Sequence, residues 1–123
     1  MREIKFGLFY ILKEKEIIPI DNRVEWGKWF ENNKERFIKQ DNINNMRIST
    51  IFLGFDHSFG LEKDKIPILF ETMVFPEGDW DVNYCERYHT YDEALEGHQR
   101  IVEKVKKGEK LWVKLNLGLG IKY

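Results

Sequence analysis

The sequence predicts an α+β protein: a mainly antiparallel sheet with two helices, in a single compact domain over residues 1–123. Three observations carry that expectation. Several segments alternate apolar and polar residues with the two-residue period of a half-buried strand, two others repeat apolar residues at helical spacing, and no linker, repeat or low-complexity tract divides the chain. With 42% hydrophobic and 15% aromatic residues, the 123-residue chain can build a real core and is too apolar for disorder.

A hairpin and the first helix are expected within 1–34. Residues 3–12 place Ile4, Phe6, Leu8, Tyr10 and Leu12 on one face. Lys13-Glu14-Lys15-Glu16 is a polar turn, from which Glu16 to Ile20 returns as hairpin partner, and Pro19 puts that partner at an edge or strand end. Asp21 is the expected N-cap of a helix over 22–33, its carboxylate accepting from the free amides of the first turn. Trp26, Trp29 and Phe30 then form one apolar stripe, either packed on the core or facing another subunit. Gly27 weakens that helix, which a close approach of another backbone or ring would explain.

The sheet core falls in 35–76. Residues 35–40 and 46–55 read as strands flanking the turn-forming run Asp41-Asn42-Ile43-Asn44-Asn45. The second is almost continuously apolar, which predicts a central strand. Residues 67–75 alternate, with Ile68, Phe70, Thr72 and Val74 on one face and Leu69, Glu71, Met73 and Phe75 on the other. A carboxylate among apolar neighbours costs free energy unless paired or hydrated, so Glu71 is expected to meet a cation or face a cleft.

A loop, a helix and a last strand occupy 77–123. The loop over 77–89 carries Trp80, Asn83, Tyr84, Arg87 and Tyr88, and a connection of that length is expected to be functional. Thr90-Tyr91-Asp92-Glu93 is a capping box for a helix running to about Lys107, with Tyr91, Ala94, Leu95, His98, Ile101, Val102 and Val105 on one face and Gly108 as its stop. Residues 110–121 alternate again as a final strand.

The net charge of −1 argues against a binder of long nucleic acid. A small anion held by a few placed arginines is still compatible with it, because Arg23, Lys28, Lys34, Arg36, Lys39 and Arg47 make the first half basic. No apolar run approaches the roughly 18 residues of a membrane span, and Met1-Arg2-Glu3 leads into a strand-like segment with no small-residue cleavage site. A cytoplasmic protein is expected. The single Cys85 excludes an internal disulfide and suits a reducing compartment.

Chemistry is sparse. His57, His89, His98 and Cys85 show no usual ligand spacing, so no metal is expected, and His98 reads as a hydrogen-bonded core histidine. Signatures for a serine nucleophile, a phosphate loop or a paired-histidine phosphodiesterase are missing. Asp56, His57 and Glu71 offer an acid/base set for a small nucleotide-cleaving enzyme. The other reading is a binding pocket: Phe75, Trp80, Tyr84 and Tyr88 to stack a base, Asn83 and Glu71 for polar edges, and Arg87, Arg100 or Arg23 for phosphates.

Four segments carry a resemblance: Ser49-Thr50-Ile51-Phe52-Leu53-Gly54-Phe55-Asp56-His57-Ser58-Phe59-Gly60, then Leu69-Phe70-Glu71-Thr72-Met73-Val74-Phe75, then Glu86-Arg87-Tyr88-His89-Thr90 leading to Glu93-Ala94-Leu95-Glu96-Gly97-His98, and upstream Glu25-Trp26-Gly27-Lys28-Trp29. As a set, covering roughly two thirds of the chain in the same order, they resemble a family of small phage proteins whose characterised branch is the Thoeris anti-defence type-one proteins. The resemblance implies a similar fold and a sponge without turnover or cofactor. Such a sponge binds a cyclic ADP-ribose isomer made by a bacterial TIR-domain immune enzyme and withholds it from its effector in the host cytoplasm. It further implies homo-oligomers, dimers with pockets between protomers and larger hexamers, that also hold cyclic di- or trinucleotides. Carried over on that basis, Phe75 is the base platform, Asn83 a polar anchor, and Arg87 with Arg100 the phosphate ligands. Trp80 and Tyr88 adjoin them, Arg23 comes from another protomer, and Asp56, His57 and Glu71 serve as scaffolding. A protein acting only through protein contacts is the third reading.

Overall fold

The computed structural model describes residues 9–56, 67–78 and 84–111. Its elements are β1 (Phe9–Lys13), β2 (Glu16–Ile20), α1 (Arg23–Asn32), a 3₁₀ turn (Lys34–Arg36), β3 (Phe37–Ile43), β4 (Met46–Phe52), β5 (Phe70–Pro76), β6 (Tyr84–Tyr88) and α2 (Tyr91–Lys106). The fold is α+β and mainly antiparallel sheet. β1 and β2 form a two-stranded hairpin, and β3-β4-β5-β6 form a four-stranded sheet in sequence order.

Both tight turns are made by residues in the left-handed region. Glu14 and Lys15 turn the first hairpin at φ 51° and 77°, and Asn44 and Asn45 turn β3 into β4 at 49° and 65°. Strand β3 therefore runs through Asp41 to Ile43, beyond the expected end at residue 40; only the two asparagines of the polar run turn the chain. Its start is corrected as well, since Lys34–Arg36 wind as a 3₁₀ turn in place of strand at 35 and 36. The N-cap of α1 is Asn22, not Asp21, because the Asn22 carboxamide oxygen accepts from the Glu25 amide at 2.9 Å.

Four registers position the site. Thr50 lies opposite Thr72 and Phe52 opposite Phe70, while Glu71 lies opposite Arg87 and Phe70 opposite Tyr88. The strand β6 corrects the loop expected over 77–89. Its Tyr84, Glu86, Tyr88 alternation was masked by the surrounding turn-forming and acidic residues. Helix α2 lies on the sheet face bearing Ile48, Val74, Tyr84 and Tyr88, burying Ile101, Val102 and Val105 there. Leu12, Phe52, Leu69, Phe70 and Ala94 build the core at its other end, with Trp29 and Tyr91 packed against it.

The capping box forms as read: Thr90 Oγ1 accepts from the Glu93 amide at 3.1 Å, and Glu93 accepts from the Thr90 amide at 3.3 Å. Gly108, at φ 73°, follows the helix. The first eight residues, and the strand expected over 110–121 apart from Lys110 and Leu111, lie outside the described residues. Among the described residues no helix is long and apolar enough to cross a membrane.

Candidate functional site: a cleft beside the second helix

Two consequences follow from laying α2 across β4, β5 and β6. The first is a buried hydrogen-bonded chain. Tyr88 donates its hydroxyl to Thr72 Oγ1 at 3.0 Å, Thr72 and Thr50 share a short hydroxyl contact, and Thr50 Oγ1 lies 2.6 Å from His98 Nδ1. His98 Nε2 faces the Asp41 carboxylate at 2.7 Å. A carboxylate accepts only, so Nε2 carries a ring proton, and with the imidazole in that tautomer Nδ1 accepts from Thr50. The hydroxyls then align, each donating toward the histidine, and among the described residues no buried side-chain nitrogen or oxygen lacks a partner.

Thr50, His98 and Asp41 thus reproduce the connectivity of a hydroxyl-imidazole-carboxylate triad. Thr50, Thr72 and His98 have no solvent exposure, however, so no substrate reaches the hydroxyl. The arrangement is a buried polar brace that fixes how α2 sits on the sheet. His98 is the core histidine the sequence suggested. Its partner Asp41 went unread because it was assigned to a turn.

Gly97, one residue earlier, is where Tyr88 passes α2. A Cβ built there would stand 2.3 Å from the ring and hydroxyl of Tyr88, closer than any real contact.

The second consequence is an open cleft of about 380 Å³ between β6 and the first half of α2, lined by Glu86, Arg87, Tyr88, Glu93, Glu96, Gly97 and Arg100. Arg100 lays its guanidinium fork on Glu86, with Nη1 to Oε2 at 3.1 Å and Nη2 to Oε1 closer still. The Tyr84 hydroxyl donates to the same carboxylate at 2.9 Å. Burial pushes the Glu86 carboxyl up, but the hydrogen bonds from Arg100 and Tyr84 help to more than offset that and hold it below its ordinary value. The same pair raises Arg100. Burial is also the leading cause that raises the Tyr84 and Tyr88 hydroxyls, which stay protonated donors.

The expected site residues divide. Tyr88 and Arg100 meet at this cleft; Arg87 borders it, but strand alternation sends its side chain to the opposite sheet face, where it pairs with Glu71. Tyr88 and Tyr84 are buried, their hydroxyls engaged inside the protein, so neither presents a free ring face. Phe75 projects from the opposite sheet face, where the Arg47 guanidinium covers its ring at 4.3 Å. Arg23 lies on α1, 6.0 Å over the Phe9 ring, and does not line the cleft. Trp80, Asn83 and His57 lie outside the described residues.

Glu71 meets a cation, as its setting required. Arg87 Nε donates to Glu71 Oε2 at 2.8 Å, and the Cys85 thiol donates to the same oxygen at 3.0 Å. Burial and that carboxylate push the Cys85 thiol up to about 12, which leaves it a poor nucleophile at neutral pH. Asp56 accepts from the Ile68 amide at 2.9 Å, tying the two ends of the β4–β5 connection. Among the described residues no group of His, Cys, Asp and Glu could hold a metal ion.

The residues quoted for the resemblance meet one another here. Thr50, Thr72, Tyr88 and His98 form the brace, Gly97 admits Tyr88, and Gly54, at φ 86°, leaves room for Trp26, whose ring would stand 2.8 Å from a Cβ. Much of the quoted sequence therefore specifies the scaffold. No family model, curated protein or solved structure matches the chain.

Proposed function

We propose that the protein is a phage anti-immune sponge that binds a cyclic ADP-ribose isomer in the host cytoplasm and holds it unchanged. The observation that supports this reading is one open cleft of nucleotide size lined by Tyr88 and Arg100. The Arg100 guanidinium suits a phosphate, which it grips by paired charge-assisted hydrogen bonds. Of the three lining carboxylates, Glu93 is taken up by the capping box and Glu86 by Arg100 and Tyr84, which leaves Glu96. The Arg100 guanidinium is half exposed, so a ligand phosphate can reach it.

On this reading the base is stacked by Trp80 with Asn83 as anchor, while Phe75, buried under Arg47 on the opposite sheet face, takes no part. Assembly into dimers or hexamers brings Arg23 of a second copy to the ligand and gives cyclic di- or trinucleotides a place to bind. The test is to incubate the protein with cyclic ADP-ribose isomers, remove free ligand, denature by heat and weigh what is released. Intact isomer in stoichiometric amount is expected. A cleaved product would replace the reading with a nucleotide-cleaving enzyme, and no uptake would leave a protein that acts through protein contacts.

A further inference from the structure

We propose that the buried chain from Tyr88 to Asp41 is a reversible hydrogen-bond relay: one proton taken up by His98 turns its hydroxyls around and delivers the Tyr88 hydroxyl to Glu86 in the cleft. The relay regulates the site of the proposed anion binding and rests on that reading for its biological meaning, while its own operation is tested without a ligand.

Three hydroxyls in line have two directions. With a neutral His98, Tyr88 donates to Thr72, Thr72 to Thr50 and Thr50 to His98 Nδ1, while Nε2 donates to Asp41. An imidazolium carries a proton on both ring nitrogens, so Nδ1 becomes a donor and the Thr50 hydroxyl can no longer point at it. Thr50 then donates to Thr72, Thr72 to Tyr88, and the Tyr88 hydroxyl takes a new acceptor. Only O–H bonds rotate. Thr50, Thr72 and His98 have no solvent exposure, so a hydroxyl turned the wrong way has no bulk water to fall back on.

The new acceptor stands two residues away. Tyr84, Glu86 and Tyr88 share one face of β6, and the Tyr84 hydroxyl reaches the Glu86 carboxylate from one side at 2.9 Å. Tyr88 flanks it on the other side, and after burial the Glu86 charge is the next cause that raises the Tyr88 hydroxyl. A carboxylate already shared by Tyr84 and Arg100 thereby gains a third donor. Its hold on Arg100, half exposed on α2, weakens in step.

Few charges surround the ring. From β3, Asp41 touches Nε2, and Lys39, opposite Thr50 and so on the same face, is exposed and screened. The face of β4 and β5 beneath α2 carries Ile48, Thr50, Thr72 and Val74, none of them charged, and β6 brings Glu86. Along α2 the neighbours three and four residues from His98 are Ala94, Leu95, Ile101 and Val102. Among the described residues Asp41 is therefore the charge in contact with the ring, placed to balance an added proton.

The experiment is nuclear magnetic resonance on the full, isotope-labelled chain as pH is lowered from about 8 to about 5. The His98 ring nitrogens report the tautomer and the added proton, and the Glu86 carboxyl carbon reports its hydrogen bonds. Glu86 is held below its ordinary carboxyl value, so its own titration lies beneath that window. In the parent, the His98 step and a step in the Glu86 signal should share one midpoint. Thr72→Val cuts the chain between its ends and should abolish the Glu86 step while His98 still titrates. Should Thr72→Val fail to fold, Tyr88→Phe keeps the ring packed, removes only the last hydroxyl and should do the same. A His98 that keeps one protonation state throughout, a parent without the shared step, or a Glu86 step that survives these variants would overturn the proposal. Uptake of a cyclic ADP-ribose isomer is read on the ligand, so the function and the relay fail or hold separately.

Discussion

The two helices hold to the protein in opposite ways. Helix α2 buries Ala94, Gly97, His98, Ile101, Val102 and Val105 and is pinned by a polar brace. Helix α1 has no fully buried residue. It is attached by rings: Trp26 lies 4.7 Å from Phe9 and 5.0 Å from Phe30, and its Nε1 donates to the Tyr10 carbonyl at 3.0 Å. Trp29 meets Phe52 edge-on at 5.9 Å. The stripe on α1 is therefore packed on this chain's own aromatics. Beneath α2 the contact is specific, because each hydroxyl has one acceptor. Under α1 it is adaptable, because ring contacts tolerate small shifts.

The glycines expose the difference most sharply. Gly97→Ala should cost about 3 kcal/mol or abolish folding, because its methyl group would displace Tyr88 and with it the brace. Denaturant titration with circular dichroism checks this, and near-native stability would show that Tyr88 can move freely. Next in size is Thr50→Val, which keeps the shape but leaves His98 Nδ1 without its donor, at about 1–3 kcal/mol by the same titration. Thr90→Ala should lose about 1 kcal/mol with the capping box of α2.

Gly27→Ala should go the other way. Among the described residues no atom outside the local helix backbone and the adjoining residues lies within 4 Å of a Cβ placed there, in place of the close approach expected from the sequence, so alanine adds helix propensity of up to about 1 kcal/mol without a clash. A loss of stability at Gly27 would mean that α1 is packed as tightly as α2. The smallest effect is with pH. The Glu86 carboxyl is lowered on folding, so its contribution is fully present above the ordinary carboxylate value of 4.5 and is lost as pH falls through the lower folded value. Thermal melts from pH 7 downward should show this acid loss, and Glu86→Gln should flatten it.

What was legible locally came through. The strand read over 67–75, which forms from Phe70 to Pro76, the capping box at Thr90, the stop at Gly108 and the demand of Glu71 for a cation are short-range signals whose physics is complete within a few residues. Strand β6 was not, since Tyr84, Glu86 and Tyr88 alternate only three times and sit next to acidic, turn-like sequence. Aromatic side chains in that segment look like ligand platforms until a helix is laid over them.

By itself, then, the sequence determined the class of fold, the ends of α2, the central place of β4, and His98 as a core histidine. Tertiary structure alone decided that Asp41, 57 residues before His98, is its acceptor. It also decided that Arg100 rests on Glu86 and that Phe75 and Tyr88 leave the sheet by opposite faces. Strand register sets which side chains share a face, and helix placement sets which are covered. Both arise from contacts between segments far apart in the chain, where local periodicity carries no information about pairing.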